Sequence, residues 1–187
     1  ATPPPRAALL PHIWLSDEEI RQGQRLLEQL PDKAGTPPIA LHPYATHPDK
    51  AWKEAYWRQL MELFESRGIP WIVIGRGNGM EGIPASRNFT NRTSLRETCA
   101  LLKSSSLLIT GDSGPMHLAG AVGTPVLALF GPTTEEWGFF PAGPKDRVLE
   151  SQLDCRPCTL HGKKHCDRYH ACMQSITPEQ VMRALDE

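Results

Sequence analysis

The residues best suited to chemistry lie together in Asp112-Ser113-Gly114-Pro115-Met116-His117, directly after the apolar run Leu107-Leu108-Ile109-Thr110. A short apolar run closed by a glycine fits a buried strand better than a helix. Pro115 suits the first turn of a helix, where a missing N–H costs nothing. The spacing therefore predicts strand, tight turn and helix in succession, with free backbone N–H groups at the helix N-terminus. Small residues at the turn let a ligand approach those groups, and such a place binds phosphate. Asp112 and Ser113 are both candidate caps for that helix, and His117 falls on its first turn.

A second constellation is Cys155-x2-Cys158-x7-Cys166-x5-Cys172, interspersed with His161, His165 and His170. Four thiolates at this spacing could hold a structural zinc tetrahedrally. Reduced thiols and disulfides are the alternatives, and disulfides are unusual in a cytosolic chain. Cys99, inside a helical pattern, reads as a buried small apolar residue. Arg156, Lys163, Lys164 and Arg168 make the same segment locally basic, a pattern that reads as a solvated loop.

The elements that must position these groups alternate. Ser16 with Glu19 forms a capping-box pattern opening a helix to about Leu30, after a Pro-rich, linker-like start. Ile39-Ala40-Leu41 is a short strand followed by a polar loop, His42 to Lys50. Trp57, Leu60, Met61 and Phe64 recur at helical spacing up to the stop at Gly68. Trp71–Ile74 is a second strand, and Gly75-x-Gly77-x-Gly79 after it reads as a flexible turn. A weak strand is expected near Phe89, then a helix from Ser94, paired with Glu97, to Lys103. Leu107–Thr110, Val126–Phe130 and Arg147–Leu149 read as further strands. Thr177-Pro178-Glu179-Gln180 opens a last helix. Strands alternating with helices indicate an α/β fold, a parallel sheet covered on both faces. In such sheets ligands bind outside the carboxyl ends of the strands, here at the loops beginning at His42, Gly75 and Gly111.

Composition sets the outer limits. The chain of 187 residues carries a net charge of −1 and 40% hydrophobic residues, which argues against a nucleic-acid groove or a polybasic membrane anchor. It contains no P-loop pattern and no G-x-G-x-x-G opening a helix. It does not begin with Met and reads as a piece of a longer polypeptide.

The block Asp112–Ala119, followed by Gly123-Thr124-Pro125-Val126 and Leu129-Phe130-Gly131-Pro132-Thr133, resembles the lipopolysaccharide heptosyltransferases. These form glycosyltransferase family 9, with a two-domain GT-B fold. His42-Pro43 with Lys50-x-Trp52 is similar to that family's first phosphate-contacting loop, and Thr93-Ser94-Leu95 to its usual helix start. Cys155-x-x-Cys158 and Cys172-Met173 also recur in many members. The resemblance runs from about Ile39 to the C-terminus. It implies the donor-binding half of an inverting enzyme that moves heptose from ADP-heptose to the lipopolysaccharide core, without a metal or cofactor for the chemistry. Residues 1–35 then form an interdomain linker with a leading helix. Residues 36–187 form a Rossmann-like nucleotide-sugar domain with the cysteine segment at 155–172.

By the same resemblance, Lys50 stabilises the departing pyrophosphate and Thr46 donates to a phosphate oxygen, although Ala45 and His47 flank it where a second hydroxyl is common. Ser113 and Gly114 bind pyrophosphate, Asp112 accepts sugar hydroxyls, and His117 donates to phosphate or sugar. Thr93 and Glu81 contact adenosine. The acceptor and an Asp general base belong to the N-terminal domain, so this chain alone is expected to bind donor without transferring it. A cytoplasmic location is implied, with room for peripheral membrane association of the full enzyme. Two other readings stay open: a GT-B enzyme for a different nucleotide-sugar, and a non-catalytic module built on the cysteine cluster.

Overall fold

Strands buried on both faces need no alternation of apolar and polar residues, and the short apolar runs here pair accordingly. The computed structural model describes residues 10–31, 35–160 and 166–186. Its strands are β1 (Ile39–His42), β2 (Trp71–Val73), β3 (Leu107–Gly111), β4 (Val126–Phe130) and β5 (Arg147–Glu150). They form one sheet in the order β2-β1-β3-β4-β5, with every pairing parallel.

Successive strand side chains point to opposite faces, which divides the core in two. Ile39, Leu41, Val73, Ile109, Leu127 and Leu129 pack with Trp57, Leu60 and Phe64 of α2 (Glu54–Arg67) and with Val181 of α6 (Pro178–Asp186). Ala40, Ile72, Leu108, Val126, Ala128 and Phe130 pack with Leu101 and Leu102 of α3 (Leu95–Lys103) and with Met116 and Ala119 of α4 (Gly114–Val122). The Rossmann-like fold expected from the alternation is present.

The helix punctuation follows the sequence closely. Ser94 and Glu97 form the reciprocal capping box of α3, and Thr177 and Gln180 make the equivalent pair of bonds before α6. Gly68 and Gly123 end α2 and α4 in the left-handed conformation that glycine adopts freely. Two expectations change. The helix opened by Ser16, α1 (Asp17–Leu27), stops a turn before Leu30. The strand expected near Phe89 is reduced to one isolated bridge, Val73 with Asn88. A short helix, α5 (Ala171–Gln174), lies in the cysteine segment. Among the described residues no helix is long and apolar enough to cross a membrane.

The leading helix is docked rather than free. Ile13, Leu15, Leu26, Leu27 and Leu30 pack on the second apolar layer, and Ile13 N–H donates to the Ala121 carbonyl at 2.9 Å. Arg96 of α3 holds Glu19 of α1 at 2.6 Å. The approach depends on Gly23, where an added Cβ would lie 2.7 Å from the Ala100 carbonyl carbon. Backbone cannot yield as a flexible side chain does, so α1 would have to lift away. Gly23→Ala should therefore lower unfolding stability by about 2 kcal/mol, as overpacking does. A urea titration compared with the parent chain checks this.

Candidate functional site

The chain leaves β1 for β2 on one side and later returns to place β3 on the other. Loops after β1 and β3 consequently diverge, and the crevice between them is the usual ligand position of an open parallel sheet. The β1–β3 register sets His42 beside Thr110. His42 Nδ1 lies 3.1 Å from Thr110 Oγ1 and 3.2 Å from Ser113 Oγ, and the two hydroxyl oxygens are 2.9 Å apart. Thr110 also donates to the Gly111 carbonyl.

This network decides the state of α4. Ser113 occupies the N-cap position with extended backbone, yet its side chain makes no capping bond. Asp112 does not cap either. Both expected caps are thus absent because one hydroxyl is drawn to His42 and Thr110 and the carboxylate is bound elsewhere. In the first turn of α4, Pro115 has no N–H and the Met116 N–H donates to the Ser113 carbonyl at 3.2 Å, so the Gly114 N–H is the donor left without a side-chain cap, at a helix end whose dipole favours negative charge. An added Cβ at Gly114 would meet nothing within 4 Å.

A cleft of about 460 Å³ opens over this turn, within the usual size range of ligand pockets. Thr46, Thr93, Ser113 and Gly114, all expected from sequence, line it together with His42, Thr98 and the apolar pair Leu95 and Leu118. Thr93 and Thr98 share a hydrogen bond at 2.9 Å. Lys50 and Asp112, also expected at the site, are not among the residues that line this cleft; Lys50 Nζ lies 2.5 Å from Asp112 Oδ2, and the buried Thr133 hydroxyl donates to the same oxygen at 3.1 Å. Lys50 and Asp112 were expected to serve different parts of one ligand; they are instead paired with each other. A lysine ammonium carries three donors, so two remain.

Glu81 and His117 are not brought to the cleft. Glu81 is exposed, and Arg58 holds its backbone carbonyl at 2.8 Å. His117 is exposed on α4, while Leu118 lines the cleft. From the loop after β2 it is Arg76 that reaches the lining. Sequence reasoning marked His42 only as the start of a phosphate-contacting loop and Arg76 only as part of the Gly75–Glu81 loop, and assigned no role to Tyr44 or Thr98. The glycine spacing carried a signal for two of them: a Cβ at Gly75 would meet His42 Cδ2 at 2.4 Å, and one at Gly77 would meet Tyr44 Cδ1 at 2.3 Å. That turn is glycine-rich for close packing rather than for flexibility. Tyr44 is anchored in turn by its hydroxyl, 2.6 Å from Thr90 Oγ1.

Cys155, Cys158, Cys166 and Cys172 border one cavity of about 280 Å³ with Asp49 and His170, and no disulfide joins them. Among the described residues, no three His, Cys, Asp or Glu side chains are placed to share a metal ion. The structural zinc expected from the spacing is therefore unsupported: the thiols surround a space without converging on one point. His161, Lys163, Lys164 and His165 lie outside the described residues. Cys99 is buried in α3 as expected, and burial pushes its thiol up.

A parallel sheet with an uncapped helix, hydroxyls and a lysine at its switch point is a Rossmann-like domain of the kind that forms half of a GT-B glycosyltransferase. The chain belongs to glycosyltransferase family 9: the family described as "Glycosyltransferase family 9 (heptosyltransferase)" matches residues 11–169. It is 35% identical over 153 residues to lipopolysaccharide heptosyltransferase 1 of Pseudomonas aeruginosa, covering 74% of this chain and 40% of that protein. It is 33% identical over 150 residues to lipooligosaccharide heptosyltransferase 2 of Campylobacter jejuni, covering 71% and 44%. The chain thus spans less than half the length of these relatives. Its fold is also that of the Escherichia coli ADP-heptose lps heptosyltransferase II, with a TM-score of 0.72 at 22% identity, covering 94% of this chain and 52% of that one.

Burial pushes His42 down from 6.5 to about 4. The folded protein binds this proton less readily than the unfolded chain, so the stabilisation is complete above pH 6.5 and drains away as pH falls toward 4. The gap corresponds to roughly 3 kcal/mol. Thermal unfolding followed from pH 7 to pH 4 should show this slope in the parent chain and a shallower one in His42→Asn.

Proposed function

We propose that this chain binds ADP-heptose as the donor domain of an inverting heptosyltransferase of lipopolysaccharide core synthesis. The observation that carries this reading is the uncapped N-terminus of α4 beside Lys50 in the switch-point crevice, in a chain of this family. Pyrophosphate sits on the Gly114 N–H and the Ser113 hydroxyl, with Thr46 donating from the opposite loop. Lys50 directs its two spare donors at the phosphates. As the bond from heptose to ADP breaks, negative charge grows on the departing oxygen, and a preplaced ammonium in a partly dry site lowers that barrier.

Asp112 keeps Lys50 in place and offers its second oxygen to sugar hydroxyls. Its carboxylate is already engaged by Lys50 and Thr133, which makes it a positioning group. The general base and the lipopolysaccharide acceptor site are assigned to the acceptor-binding half of the full enzyme. Adenosine lies toward Thr93 and Thr98, against Leu95 and Leu118, a wall that is apolar on one side and hydroxylated on the other. No metal or cofactor enters this chemistry.

Calorimetric titration of the chain should give saturable ADP binding, with UDP and GDP at least about tenfold weaker, a gap of 1.4 kcal/mol. Equal binding of UDP would favour a donor domain for another nucleotide-sugar. Lys50→Ala should weaken ADP about tenfold, the worth of one lost charge-assisted contact. Gly114→Val should abolish ADP binding while leaving the unfolding temperature unchanged, because its side chain enters only ligand space. Supplied with ADP-heptose and acceptor, the chain alone should show no turnover.

A further inference from the structure

The donor-site reading leaves the cysteine-bearing segment without a task, yet that segment touches the loop that carries Lys50 and the turn whose Thr133 holds Asp112. At one end stands Arg156, whose side chain is only 6% exposed. Its guanidinium donates to the Gly131 and Ser151 carbonyls, to the Thr133 carbonyl at 2.9 Å and to the Glu150 carboxylate at 2.7 Å. The Cys158 N–H adds a bond to the Pro132 carbonyl at 3.1 Å. The turn 131–133 is therefore fixed along its length, and Thr133 is the residue whose hydroxyl holds Asp112.

At the other end stands His170, with left-handed backbone at φ 57°. Its N–H donates to Cys166 Sγ at 3.2 Å, and its Nε2 lies 2.7 Å from Asp49 Oδ1. Asp49 directly precedes Lys50 in the 3-10 turn Pro48–Lys50. One segment thus grips the loop after β1 through Asp49 and the loop after β4 through Thr133.

Resting on the donor-site reading, we propose that His170 and Arg156 are positioning residues for the Lys50–Asp112 pair, and that the cysteine segment braces the pyrophosphate end of the site. Charge interactions fall steeply with separation where water is excluded, and misplacement by about 1 Å is costly at a reacting centre. Lys50 and Asp112 lie in the loops after β1 and β3, so their spacing is only as firm as the hold on Asp49 beside Lys50 and the Thr133 bond to the Asp112 carboxylate. The brace supplies that firmness without touching the ligand. Its effect is confined to the end of the nucleotide that Lys50 serves.

ADP and AMP titrations of the chain test this, using His170→Asn, Asp49→Ala and the double variant. Asn tolerates the left-handed backbone but is too short to reach Asp49. Each single variant should raise the ADP dissociation constant about fivefold, and the double variant no further, as for two ends of one contact. Asp49→Asn, which keeps an acceptor for His170, should restore near-parental ADP binding. AMP, lacking the second phosphate, should bind all variants within about twofold of the parent, since a twofold change is only a fraction of the 1.4 kcal/mol that separates tenfold affinities. Unchanged ADP binding, additive losses in the double variant, or equal losses for ADP and AMP would overturn the proposal. A parent chain that takes up neither nucleotide would instead refute the donor-site reading beneath it.

Discussion

The pairing of β1 with β3 is the constraint on which the site depends. It sets His42 beside Thr110, and the hydroxyl of Thr110 in turn reaches Ser113. Because a buried imidazole must find partners, His42 takes both hydroxyls and draws Ser113 away from the helix it would otherwise cap. A shift of one residue in that register would send His42 to the opposite face. Ser113 would then be free to turn its hydroxyl to the start of α4, where it makes no capping bond now. The arrangement of this turn follows from a pairing of buried strands.

The Lys50–Asp112 pair shows a second consequence of building a site between loops. A lysine placed for an anionic ligand must be neutralised when none is present, since a partly buried charge without a partner is costly. Asp112 provides that partner from the neighbouring strand, and Thr133 steadies the carboxylate. The pair therefore fixes the ammonium next to the residue that precedes Ser113, without filling the cleft. Lysine's compact head and three donors allow it to keep one partner while engaging another.

The cysteine segment shows what packing adds to a motif read by residue type. Cys172 is buried and Met173 packs against Gly131 so closely that a Cβ there would lie 2.4 Å from the Met173 sulfur. Small, polarisable side chains fill irregular gaps well. Cys172 and Met173 make close contact with the turn after β4. The charged groups of the same segment, Arg156 and His170, make the contacts that link it to the site.

Much of this was legible in the chain. Apolar runs of three to five residues between capped helices determined a parallel α/β sheet, because local periodicity and capping act over a few neighbouring residues. The turn Asp112-Ser113-Gly114 was legible for the same reason: strand end, glycine and helix start are adjacent in sequence. Motif order pointed to Thr46 and Thr93, which line the cleft. The tertiary structure alone decided that Lys50 meets Asp112, that His42 and Thr98 join the cleft, and that Glu81 and His117 do not border it. It also decided that Gly75 and Gly77 are small because His42 and Tyr44 press on them. Those outcomes depend on contacts between residues tens of positions apart, fixed by strand order and by the space that packing leaves. No local pattern in a sequence encodes a distance across a sheet.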